Sequence, residues 1–119
     1  MWTYCQSSGE LSRNGVFVGK GYSGREAGLN NPAMEADEGV GPIPAGRWVI
    51  GAVFDHPRLG RCVMHLMPDA FDPHGRAAFL IHGDNAQMNH TASHGCIILA
   101  HLIRLQIAAS PDRALTVIA

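Results

Sequence analysis

Residues 79–99 read FLIHGDNAQMNHTASHGCIIL. Two apolar runs enclose a polar segment that holds three histidines, two glycines and one cysteine. Apolar runs this short, bounded by glycine and polar residues, read as strands. A segment of this make-up can hold a metal, activate a thiol or simply connect two strands. His82 and Cys96 each sit at the end of an apolar strand. Residues 83–95 between them are long enough to fold back and set both ends side by side. Rigid strands place side chains better than loops do.

Outward from this stretch, the pattern is of short strands between turns. Upstream, residues 77–82, 61–67 (RCVMHLM) and 47–54 (RWVIGAVF) read as strands. A stiff turn, Gly41-Pro42-Ile43-Pro44-Ala45-Gly46, precedes them. Residues 21–37 carry Gly21, Gly24, Gly28, Asn30, Asn31 and Pro32, so no regular element is expected there. A long ordered loop of this kind is usually functional or disordered. At the N-terminus, residues 2–6 alternate as a half-buried strand does. Ser7-Ser8-Gly9 turns the chain, and residues 10–13 return as a hairpin partner. Asn14-Gly15 is a strong hairpin dipeptide leading into Val16-Phe17-Val18.

Downstream of Ile97-Ile98-Leu99, residues 102–109 predict one helix of about three turns, apolar on most of its surface. Ser110-Pro111-Asp112 stops it, and residues 115–118 form a last strand. The expected fold is mostly β: one compact domain over residues 1–119 with one short helix after Cys96.

Composition bounds the function classes. Of 119 residues, 46% are apolar and 16% charged, which allows a core and excludes a disordered chain. The formal net charge is −1, and the basic residues form no stripe, so nucleic acid is not an expected partner. No run approaches the roughly 18 apolar residues of a membrane span. The N-terminal MWTYCQSSGEL lacks the features of a secretory signal. The chain is expected to be cytoplasmic, or exported by a route that leaves no cleavable signal. The three cysteines, Cys5, Cys62 and Cys96, are not a disulfide-framework count. Cys5 and Cys62 read as small buried hydrophobes, with a bridge between them possible.

Only a thiolate attacks well, and a free cysteine ionises at about pH 8.5. An imidazole corrects this by taking the proton. A carboxylate or backbone carbonyl on its other nitrogen then fixes the tautomer. His82 and Cys96 suit the two roles. Gly95 lets the backbone approach closely or adopt positive φ, and N–H groups around Gly95 and Cys96 could face an oxyanion. The alternatives are a purely structural loop and a zinc site. His82, His90, His94 and Cys96 supply four ligands on paper, but no Cys-x-x-Cys or His-x-x-x-His pair occurs there. His90 alone reads as a solvated loop histidine, and His94 stands between a supporting role at the site and a local one. His56, His65, His74 and His101 read as surface or satisfied histidines. Asp84 can orient a histidine, or cap the loop through its own backbone.

His82-Gly83 followed by Ser93-His94-Gly95-Cys96 resembles the signature of L,D-transpeptidase (YkuD-like) catalytic domains, and residues 44–50 resemble a strand start of that family. Over nearly the whole chain the match is closer still. Residues 2–8, Gly21-Tyr22-Ser23-Gly24, Asn30-Asn31-Pro32, Gly41-Pro42-Ile43-Pro44 and Ile81-His82-Gly83-Asp84-Asn85 resemble the type VI secretion L,D-transpeptidase effectors. The general family has Arg or Asn two residues after the cysteine, where this chain has Ile98, a trait of the effector subgroup. The resemblance implies a β-sandwich or barrel domain and a Cys96 nucleophile with His82 as base. The carbonyl of Gly83 would orient His82, His94 would support the site, and Ser93 would fix the turn. Tyr22, Ser23 and Asp84 are candidate groove residues.

The implied reaction is attack on the meso-diaminopimelate–D-Ala bond of a peptidoglycan tetrapeptide stem. It leads through a thioester to hydrolysis, D-amino-acid exchange or a cross-link, with no metal or organic cofactor. Implied partners are stem peptides, the type VI machinery and a cognate immunity protein, with action in a rival's periplasm and no membrane insertion. A housekeeping cross-linking enzyme, a generic Cys–His peptidase, a wall-binding domain without activity and a zinc-binding structural module are the alternatives.

Overall fold

The computed structural model describes residues 1–85 and 92–119. Among the described residues, nine strands form in chain order: β1 Trp2–Cys5, β2 Glu10–Arg13, β3 Val16–Lys20, β4 Tyr22–Ser23, β5 Gly46–His56, β6 Gly60–Pro68, β7 Phe79–His82, β8 Ile97–Ile98 and β9 Ala114–Ile118. One helix, α1, spans His101–Ala109. All nine strands lie in one sheet, ordered β3-β2-β1-β9-β5-β6-β7-β8-β4.

Strands β3 and β4 stand at opposite ends of that order, yet only Gly21 separates them in the chain. The sheet must therefore curl until its two ends meet, giving a nearly closed barrel. Closure removes the exposed edges that an open sheet would leave. The seam is tight. A Cβ on Gly21 would lie 1.9 Å from the Ile98 carbonyl oxygen, and one on Gly9 would lie 2.0 Å from the Gly21 oxygen.

Local sequence explains most elements. Asn14 and Gly15 both adopt positive φ, 51° and 81°, as a tight hairpin turn requires, and join β2 to β3. The β5–β6 hairpin is closed by His56, whose Nδ1 accepts the N–H groups of Arg58 and Leu59, both at 3.0 Å. Pairing is antiparallel except for β1 with β9 and β7 with β8. Alternation turns Trp2, Tyr4, Trp48, Ile50, Leu115 and Val117 into one core. Trp48 anchors it, meeting Phe71 and Phe79 edge-on at 5.3 and 5.0 Å and donating Nε1–H to the Pro44 carbonyl at 3.0 Å.

Three expectations need correction. Residues 21–37 contain β4 and two short 3₁₀ helices, Glu26–Gly28 and Pro32–Met34. Closure recruits the first, and the Asn31 side chain caps the last by accepting the Ala33 N–H. Helix α1 buries only Arg104 and Ile107 fully, leaving Leu102 and Leu105 exposed. Its Ile103 seats against Gly19, where a Cβ would come within 2.2 Å. All three cysteines are free. Cys62 is buried, but Cys5 is half-exposed, its thiol donating to the Ala119 carbonyl at 3.2 Å.

Gly21→Ala should cost about 3 kcal/mol or more, because the collision is with backbone rather than a side chain that can turn away. Gly39 also has positive φ but nothing within 4 Å. Gly39→Ala should cost only about 1–2 kcal/mol. Urea denaturation of the two variants checks the difference.

Candidate active site

Strands β7 and β8 run parallel, with Ile81 opposite Ile97 and His82 opposite Ile98. Ile81 and Ile97 point into the core, so alternation sends His82 and Ile98 to the other face. Cys96 lies one residue before β8, and its thiol lines a cavity with Phe79, Gly95 and Arg76 that His82 does not line.

The His82 ring is 2% exposed, and its Nδ1 donates to the Gly83 carbonyl at 2.8 Å. That bond puts the proton on Nδ1 and leaves Nε2 as an acceptor. Burial holds His82 below its ordinary range, the nearby Arg104 cation adds to this, and the Gly83 carbonyl opposes it. Burial likewise pushes the Cys96 thiol up, partly offset by the backbone of Leu80 and the charge of Arg76. The thiol faces the backbone of residues 78–80, with Ala78 O 3.9 Å from Sγ. It makes no hydrogen bond to His82. Both shifts favour the neutral forms, a thiol and an imidazole.

Two buried serines fix the segment that carries Cys96. Ser93 Oγ donates to the Cys96 carbonyl at 2.6 Å and accepts the N–H groups of Gly24 and Gly95 at 2.9 and 3.1 Å. A hydroxyl has one proton and two lone pairs, so this one is fully used. Ser23 Oγ donates to the Gly95 carbonyl at 3.2 Å and accepts the Ile43 N–H at 2.8 Å. Ser23 is fully buried and positions the loop rather than facing a groove. The Gly95 N–H is committed to Ser93, so of the two expected oxyanion donors only that of Cys96 stays in consideration. Gly95 itself has φ 133°.

Tyr22 donates its hydroxyl to Asp84 at 2.7 Å and accepts the Ala92 N–H at 3.3 Å. Asp84 also accepts the N–H of Asn85 at 2.9 Å, the local cap. Tyr22, Gly83 and Asp84 line a cavity of about 760 Å³. Cys96 lines a smaller one, about 220 Å³, with His94, Gly95, Glu38 and Arg76. Neither cavity includes His82, so their size does not locate the chemistry. His94 is exposed, its Nε2 3.4 Å from Arg25 Nη1. His90 lies outside the described residues, and with it the four-ligand zinc set. Among the described residues, no three His, Cys, Asp or Glu side chains gather as a metal site would require.

Sequence reading missed Arg76. Its guanidinium is buried and donates to the carbonyls of Glu35, Gly41, Pro42 and His94 at 2.6–3.1 Å. It also lies over the Phe79 ring, 5.1 Å from its centroid. A Cβ on Gly95 would come within 2.4 Å of Nη2, so the arginine dictates that glycine. Nothing in the Gly75-Arg76-Ala77 stretch announces this, because every acceptor is distant in sequence.

The domain is a nearly closed, mostly-β sheet with His82 and Cys96 at the adjoining ends of two parallel strands. The Tlde1 domain pattern matches residues 18–113, and the chain belongs to the Tlde1 domain family, L,D-transpeptidase-like effectors of type VI secretion. No curated protein matches the chain. Among the described residues, no helix is long and apolar enough to cross a membrane.

Ser93→Ala leaves the Gly24 and Gly95 N–H groups without their acceptor, at about 1–3 kcal/mol each. The variant should lose about 2–4 kcal/mol in urea denaturation, and Ser93→Thr should lose less. Arg76→Lys keeps a charge but not the four-carbonyl geometry. It should slow iodoacetamide alkylation of Cys96 at pH 8 by several-fold if the thiol answers to this cation, while Lys20→Gln should not.

Proposed function

We propose that this protein is an antibacterial type VI effector that acts on peptidoglycan tetrapeptide stems in the periplasm of a target cell. Its reaction is cleavage of the meso-diaminopimelate–D-Ala bond, or exchange of D-Ala for another D-amino acid. One observation carries this reading: His82, held by the Gly83 carbonyl in the tautomer of a base, ends the strand that pairs with β8, which directly follows Cys96. The family match supports it.

With both partners neutral at rest, His82 acts as a general base. Nε2 takes the thiol proton as Sγ attacks the scissile carbonyl carbon, and negative charge develops on the carbonyl oxygen. The imidazolium then gives its proton to the amine of D-Ala as the C–N bond breaks, leaving a thioester on Cys96. Water, or the amine of a D-amino acid, attacks the thioester with His82 again as base and restores the thiol. Ser23, Ser93 and Arg76 position the nucleophile and do not touch the reacting atoms. A cognate immunity protein covering the cleft is the expected partner in a producing cell.

Ordinary cross-linking is the less supported outcome. Position 98, polar in the general family, is here an isoleucine, 3% exposed and paired with Tyr22 at the barrel seam. It offers a second stem nothing to bind.

Mass spectrometry of tetrapeptide muropeptides incubated with reduced protein should show tripeptides, and exchanged tetrapeptides when D-Met is added. Cys96→Ala should abolish both, and His82→Ala should slow them by about 100-fold or more. Intact tetrapeptides with wild-type protein would refute the reading.

The pH profile carries the signs of the two shifts. The base must be unprotonated, and its folded value is depressed, so the acid limb of kcat/KM should fall below the ordinary histidine value of 6.5. The thiol is raised, so the alkaline limb should lie above 9.0. An acid limb above pH 7 would contradict this assignment.

A further inference from the structure

Helix α1 begins without a cap. Ala100 offers no side-chain acceptor, and the first turn holds no acidic residue. The first helical bond is Arg104 N–H to Ala100 O at 3.0 Å. The N–H groups of residues 101–103 therefore have no intrahelical acceptor, and the positive end of the helix dipole is open. Ala100 and His101 line the 760 Å³ cavity described above.

Arg104 lines the same cavity and is 8% exposed. Its Nε donates to Leu99 O at 3.1 Å, and Nη1 to Arg61 O and Cys62 O at 2.7 and 3.1 Å. Its Nη2 has no hydrogen-bond acceptor among the described residues. It sits against Gly83, where a Cβ would come within 2.7 Å. The guanidinium is thus locked on one side and has a free amino group on the other. Lys20 and Arg61 stand at the rim, with neither in an ion pair among the described residues. Asp84 is the one carboxylate in the lining, and it is already engaged by Tyr22 and Asn85.

We propose that this cavity is a carboxylate site, in which the start of α1, Arg104 Nη2, Lys20 and Arg61 hold a free carboxylate of the substrate stem. The identity of the occupant rests on the function proposed above. The geometry suits a stem that reaches past the thiol, since Ile98 lines the cavity and lies two residues, about 7 Å, along the strand from Cys96. The site has a consequence for the chemistry. Arg104 opposes protonation of His82, and a carboxylate beside Arg104 offsets that opposition. Binding of the right substrate would then favour the imidazolium formed when the thiol gives up its proton.

The test is an amide-resolved NMR titration of full-length Cys96→Ala protein. The probes are the free tetrapeptide, the same peptide with its carboxylates amidated, and inorganic phosphate. The free tetrapeptide should shift the amides of residues 101–103. Affinity should fall about five- to tenfold on amidation, and by a similar factor in Lys20→Gln/Arg61→Gln. Both rim residues are exposed, so the double variant keeps its fold. If wild-type protein converts the tetrapeptide while amides 101–103 stay unmoved, or if amidation leaves affinity unchanged, the inference fails and the proposed reaction stands. If wild-type protein leaves the tetrapeptide intact, the proposed reaction fails. The phosphate titration then decides the anion site alone: shifts at 101–103 that vanish in the rim variant uphold it, and no shifts overturn it.

Discussion

One glycine holds this architecture together. Because Gly21 alone separates β3 from β4, the two ends of a nine-stranded sheet are bound to meet. The meeting leaves no room for a side chain at Gly21 or Gly9. Closure places Tyr22 opposite Ile98 and Ser23 opposite Ile97. From there Ser23 reaches the Gly95 carbonyl and the Ile43 N–H, and Gly24 reaches Ser93. The geometry of the segment preceding Cys96 is therefore inherited from a seam formed by residues some 70 positions away.

Charge is handled unusually inside this small domain. Arg76, Arg104 and Arg113 direct their guanidinium groups at backbone carbonyls: Arg76 at four, Arg104 at three, and Arg113 at those of Ile50, Gly51, Ile107 and Ser110. A fork of five donors can satisfy several carbonyls at once, which ties loops together without a carboxylate partner. Arg76 also feels the nearby carboxylates of Glu35, Asp37 and Glu38, and it lines the cavity of Cys96, while Arg104 lies near His82. Burial dominates at both groups, with Arg76 partly offsetting it at Cys96 and Arg104 adding to it at His82. Packing and reactivity are set by the same side chains.

Much of the fold could be read from local pattern. The strands, their turns and the single helix follow from alternation, Asn14-Gly15 and Ser110-Pro111, with ends displaced by a residue or two. The places of His82 and Cys96 at the ends of apolar runs were legible, but the thiol faces residues 78–80 and makes no hydrogen bond to His82. What could not be read depends on distant contacts. Strand β4 is two residues long and exists only because the barrel closes. The parallel pairing of β1 with β9 joins the two termini of the chain. Ser23 looked like a groove residue because serine in a glycine-rich loop is usually exposed; here it is the bolt between two loops. Arg76 and Arg104 carry no pattern, since their acceptors are backbone atoms scattered along the sequence.

That enclosure bears on how long the protein survives before use. Peroxide and disulfide exchange attack the thiolate rather than the thiol. A sulfur kept protonated within the fold is a slow target for both. Cys5 is half-exposed, and although burial raises its thiol, the hydroxyl and backbone groups of Ser7 and Ser8 bring it below the ordinary value. In an oxidising milieu Cys5, half-exposed and lowered, is thus the sulfur that reacts ahead of Cys96, whose thiol is pushed up by burial.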